Sequence, residues 1–155
     1  MVPAGDMTWS MYGVDDTFYM SNICTQTPLC NRGVWKQLEQ WVRDNAKIEE
    51  ELLVVSGPIF STNVIQKVIG KRCKVVVPDA FFKVVYDTTA PFKALGFIVP
   101  NEGCTNALDW YTVTVEEVEK RTGMKFFDQV TPNEQPDKTD FRPSLWNWNI
   151  LAHPI

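Results

Sequence analysis

Asn31-Arg32-Gly33-Val34-Trp35-Lys36-Gln37-Leu38-Glu39-Gln40-Trp41-Val42-Arg43 is the stretch on which the reading of this chain turns. Val34, Leu38, Trp41 and Val42 fall at i, i+4, i+7 and i+8, which is one face of an amphipathic helix running from residue 31 to about residue 46. Asn31, Glu39 and Arg43 then place an amide oxygen, a carboxylate and a guanidinium on a single helix, with Arg43 one turn beyond Glu39. Oxygen ligands suit a hard cation, and a guanidinium suits a phosphate. Other readings of the same residues remain open. Asn31 is also a good helix N-cap, with Gly33 close behind it. Glu39 and Arg43 also have the spacing of an ordinary exposed ion pair. One amide oxygen does not readily cap a helix and ligate a metal together, so the two readings of Asn31 compete.

Outward from this helix, the chain reads as an α+β unit. Residues before Asp16 are turn-rich, and residues 17–23 suit a short strand. Residues 24–30 read as a polar connection. Residues 52–55 form an apolar run that Ser56, Gly57 and Pro58 should end. Further strands are expected at 73–77, 80–86 and 94–99, with Pro78 and Pro100 as stops, giving a largely antiparallel sheet. Residues 113–115 suit a further strand leading into a helix at 116–122 that Gly123 terminates, and 125–127 return as extended chain. Past residue 129 the composition becomes polar and proline-bearing, so we divide the chain into a unit at 1–130 and a linker with a Trp-rich tail at 131–155. Trp146 and Trp148 read as docked aromatics covering the core rather than a base-stacking platform.

Composition narrows the function classes. The 155 residues, 45% of them hydrophobic, suffice for one substantial core. A net charge of -4 and a pI near 5.0 argue against coating nucleic acid by general attraction, while leaving room for one local cationic groove. The longest apolar runs are strand-sized and flanked by charge, so no membrane span is expected, and no targeting signal is legible. Cys24, Cys30, Cys73 and Cys104 contain no CxxC pair and have only His153 to join them, so neither a zinc site nor a disulfide is expected.

Longer strings carry more than these patterns do. They are residues 2–7 (VPAGDM), 16–23 (DTFYMSNI), Gln26 and 31–39 (NRGVWKQLE), followed by 54–60, Ile69-Gly70, Val77-Pro78, 82–85, 96–101 and 119–127. In order and spacing they resemble the DNA/RNA nonspecific endonuclease family, the group of the Serratia-type nuclease and endonuclease G. The resemblance implies a ββα-metal (His-Me finger) fold, with a metal-site helix set on a mixed, largely antiparallel sheet. It implies hydrolysis of phosphodiester bonds in DNA and RNA with Mg2+ or a similar divalent cation. By position, Asn31 resembles the family's direct metal ligand, Glu39 a carboxylate acting on the metal through water, and Arg43 a phosphate-binding arginine. Asn22 and Gln26 match supporting side chains. Lys83 is a candidate for substrate contact, against the plainer reading of a solvated strand lysine. Relatives are often secreted, periplasmic or mitochondrial, and pairing as a homodimer is a further expectation from the family; no membrane partner is expected.

Two departures qualify the resemblance. Thr25 stands where many relatives have proline, which alters loop stiffness and leaves the ligands intact. More important, the family's Asp-Arg-Gly-His motif ends immediately before the position of Met1, so its general-base histidine has no counterpart in this chain, and His153 at the far end is no substitute. The expectation is a nuclease unit incomplete at its N-terminus and inactive as it stands, its reading frame continuing upstream. The loss would also leave a sheet edge exposed. The alternatives are a truncated pseudoenzyme that binds metal or nucleic acid without cutting, and a non-catalytic α+β binding domain.

Overall fold

The computed structural model describes residues 2–49, 51–62, 66–131 and 134–148. Its regular elements are α1 (Met11–Asp16), α2 (Pro28–Arg32), α3 (Val34–Glu49), β1 (Leu52–Ile59), β2 (Val68–Ile69), β3 (Val75–Val76), β4 (Ala80–Asp87), β5 (Lys93–Pro100), β6 (Thr112–Val113) and α4 (Val115–Thr122). The main sheet runs β1-β4-β5-β6, and each neighbouring pair is antiparallel. β2 and β3 form a separate two-stranded ribbon.

Period-two alternation along the central strands divides the core between two helices. Phe81, Val85, Leu95, Phe97 and Val99 face α3, where Trp35, Leu38 and Trp41 meet them. Phe82 and Val84 face α4, packing with Val115, Val118 and Phe126. Gly96 lets α4 approach closely, because a Cβ there would lie 2.8 Å from Val118 Cγ2. Leu38 and Trp41 are fully buried, so truncating either to alanine would cost about 3 kcal/mol or more.

β1 is the edge of the sheet, and Leu53, Val54 and Val55 are exposed there. β1 also continues through Ser56, Gly57 and Pro58, where the sequence suggested a turn. These residues pair with Lys83, Phe82 and Phe81, and an edge strand tolerates the missing proline donor. Residues 17–23 form turns and a 3-10 segment (Met20–Asn22), not the expected strand. Aromatic β-propensity needs a partner strand to act through, and among the described residues none pairs with this segment. The expected strand at 73–77 shrinks to β3, paired with the unanticipated β2. Phe127 turns the expected extended chain at 125–127 with φ of 63°.

α4 behaves as its ends dictate. Thr114 caps it by accepting from Glu117 N at 3.1 Å, and Gly123 closes it at φ of 70°. The described part of the tail docks on α3. Trp146 and Trp148 lie 5.4 and 5.0 Å from the Trp41 ring, and Asn45 donates to Asn147 O at 3.2 Å and accepts from Asn147 N at 3.1 Å.

Candidate metal and nucleic-acid site

The start of the helical region is two helices, not the single one read from periodicity. α2 opens at Pro28, with Thr27 as its cap accepting from Cys30 N at 3.2 Å, a cap-then-proline signal inside what the spacing suggested was a polar connection. Gly33 joins α2 to α3, and a Cβ at that position would sit 2.4 Å from Leu29 O. Asn31 therefore lies within α2, its own N–H donating to Thr27 O at 2.9 Å, so it is not the N-cap of the long helix. Its side-chain nitrogen donates to Gln26 Oε1 at 2.8 Å, which fixes the carboxamide plane and leaves the oxygen out of that bond.

Asn31, Glu39, Gln26 and Asn22 line one cleft of about 270 Å³, walled also by Val2, Phe18 and Trp35. Asn22 works as a staple: its oxygen accepts from Val2 N at 2.7 Å, while its nitrogen donates to Val2 O at 2.8 Å and Thr17 O at 2.9 Å. It holds the N-terminal segment against the cleft. Gln26 has its second bond to the Cys30 thiol, at 3.3 Å.

Glu39 is partly buried in the cleft wall. Burial pushes its carboxyl above the ordinary range, while the charges of Lys83 and Arg43 and a hydrogen bond from the Trp35 side chain pull the other way. Arg43 is not paired with Glu39. Its Nη1 meets Asp6 Oδ1 at 2.6 Å, which overturns the surface ion-pair reading and brings the Ala4–Asp6 turn over the helix. Asp6 carries no local signal of this pairing in the sequence, because its partner is 37 residues away.

Lys83 is the clearest departure from expectation. It is 2% exposed, not a solvated strand lysine, because it shares the α3-facing side of β4 with Phe81 and Val85. Its ammonium stands 5.0 Å from the centre of the Trp35 ring. Burial pulls its pKa down, opposed by the nearby charges of Glu39 and Asp6. Cations at Lys83 and Arg43 thus accompany the carboxylates of Glu39 and Asp6 in one small region of an otherwise acidic chain.

The donor chemistry fits a hard divalent ion: an amide oxygen, a carboxylate on the same cleft and room for water. Among the described residues no group of three or more His, Cys, Asp or Glu side chains could hold a metal. All four cysteines are free thiols, and His153 lies outside the described residues.

A sequence model of the DNA/RNA non-specific endonuclease family matches residues 1–133. The chain belongs to that family. This nonspecific-endonuclease chain is 35% identical over 144 residues to the mitochondrial nuclease EXOG of Xenopus laevis, covering 84% of the chain and 40% of that protein. It is 30% identical over 142 residues to the mitochondrial endonuclease G of Bos taurus, covering 84% of the chain and 47% of that protein. It thus spans less than half the length of these relatives. A solved structure of endonuclease G with its inhibitor EndoGI matches with a TM-score of 0.76 at 30% identity, over 86% of this chain and 60% of that one. The fold is accordingly the α+β ββα-metal nuclease fold. These two relatives are mitochondrial by name, and no helix among the described residues is long and apolar enough to cross a membrane.

Proposed function

We propose that this family member carries the metal-binding half of a site that hydrolyses phosphodiester bonds in DNA and RNA without sugar preference, using Mg2+ or a similar divalent ion. The observation that carries the reading is the shared cleft, in which Asn31, oriented by Gln26, faces the same space as Glu39. A divalent cation at this place supplies positive charge against the negative charge that builds on the phosphate and the leaving oxygen. Asn31 would hold the ion by its side-chain oxygen. Glu39 would act on the ion through water, and the buried Lys83 cation favours the ionised carboxylate that this would require. Arg43 exchanges Asp6 for a substrate phosphate oxygen, a bond of the charge-assisted kind that arginine makes well.

In this reading residues 1–130 form the nuclease unit, and 131–155 a linker and tail. The family's general-base histidine, part of an Asp-Arg-Gly-His motif, has no counterpart among the residues of this chain, whose one histidine is His153. A plasmid and RNA cleavage assay with Mg2+ tests the proposal, comparing the chain as given with one extended upstream through that motif. Cutting by the extended chain alone is expected. Silence from both would favour a binding protein without turnover, and cutting by the chain as given would place the base elsewhere.

A further inference from the structure

Asn101 directly follows β5 outside the cleft, 8% exposed, and every bond it makes is to backbone. Its own N–H donates to Asp79 O at 2.8 Å. Its side-chain oxygen accepts from Thr27 N at 2.8 Å, and its side-chain nitrogen donates to Thr25 O at 3.1 Å and Pro78 O at 2.9 Å. The amide thus uses both N–H donors and its oxygen, clamping the 25–27 loop to the connection between β3 and β4.

The clamped loop holds Asn31 in two ways. Thr27 is the cap of α2, and its carbonyl accepts the Asn31 N–H at 2.9 Å, so fixing Thr27 fixes the backbone that carries Asn31. Gln26 stands between the two clamped residues, and its Oε1 accepts from the Asn31 carboxamide at 2.8 Å. A free loop would leave Gln26 able to rotate away, and the Asn31 oxygen would lose its fixed direction.

We infer that Asn101 is a positioning residue of the metal site: through Thr25, Thr27 and Gln26 it sets the orientation of the Asn31 carboxamide that faces the ion. This rests on the assignment of Asn31 as the ligand. Partners of a ligand that set its orientation are worth about 10–100-fold in metal affinity.

The test is Mn2+ binding to the whole chain, followed by the paramagnetic resonance of the free ion, for wild type, Asn31→Ala, Asn101→Ala, Gln26→Leu and Val118→Ala. Val118→Ala opens the core on the α4 side and serves as the purely structural control. Asn101→Ala and Gln26→Leu are expected to weaken Mn2+ about 10–100-fold, and Val118→Ala to lower thermal stability with affinity kept. In the metal-free chain, the side-chain amide resonances of Asn31 are expected to shift in Asn101→Ala and to stay in place in Val118→Ala. Wild-type affinity in folded Asn101→Ala overturns the inference. If Asn101→Ala does not fold, Gln26→Leu decides, and unchanged affinity there overturns it equally. Undiminished binding in Asn31→Ala, or no binding by wild type, instead removes the ligand assignment and the inference with it.

Discussion

The ammonium of Lys83 lies 5.0 Å from the centre of the Trp35 ring, in the interior, on the face of the sheet that α3 covers. A buried cation here is an electrostatic device for the half-buried carboxylate of Glu39, whose charge in turn makes the buried ammonium tolerable.

The first prediction concerns that carboxylate. Burial holds the Glu39 pKa above the ordinary value of 4.5, and Lys83 opposes the rise. Lys83→Met removes the opposing charge, so the carboxyl should titrate higher still. Following the Glu39 side-chain carbon by NMR in the metal-free chain checks this, and a lower or unchanged value would refute the electrostatic role. In the upstream-extended enzyme the acidic limb of the rate profile should move to higher pH in the same variant.

A second prediction tests the junction of the two helices. Gly33→Ala drives a Cβ to 2.4 Å from Leu29 O, and the helices must separate to relieve it. The expected loss is about 2 kcal/mol, read as a melting temperature lower by roughly 4–8 °C in a domain of this size. An unchanged melting curve would show that the junction is not constrained.

How much of this the sequence carried differs from residue to residue. The α3 stripe was legible because four apolar side chains at helical spacing are a local signal, and the α4 end was legible because Gly123 is the residue that tolerates a positive φ. Residues 17–23 depart from the expected strand because propensity does not reveal whether a partner strand exists. Asn31 lies in α2 and not in the long helix, and the local signal for this is the Thr27-Pro28 cap-and-proline start. The burial of Lys83 was within reach, since Phe81, Phe82, Val84 and Val85 surround it with apolar residues on both faces. Asp6 with Arg43, and Asn101 with the 25–27 loop, are long-range pairings that no spacing within one chain discloses.

A third prediction follows from Glu119, which sits buried midway along α4. Burial alone would raise its pKa, but hydrogen bonds from Lys125, Lys138 and the Phe126 N–H outweigh it and hold the carboxyl at about 2. Its folded pKa is depressed, so its stabilising contribution is present above pH 4.5 and is lost as the pH falls towards 2. Denaturant melts across that window should show the loss. Glu119→Gln should be less stable at neutral pH by about 3 kcal/mol and should flatten the acid dependence.

The central claim is that Asn31 supplies the protein oxygen on which cleavage depends, and its most direct measurement is plasmid cleavage by the upstream-extended chain with Asn31→Ala as the sole change. The expected rate is lower by about 100-fold or more at any Mg2+ concentration reached, with Glu39→Ala losing less because it acts through water. Wild-type turnover by Asn31→Ala would contradict the account.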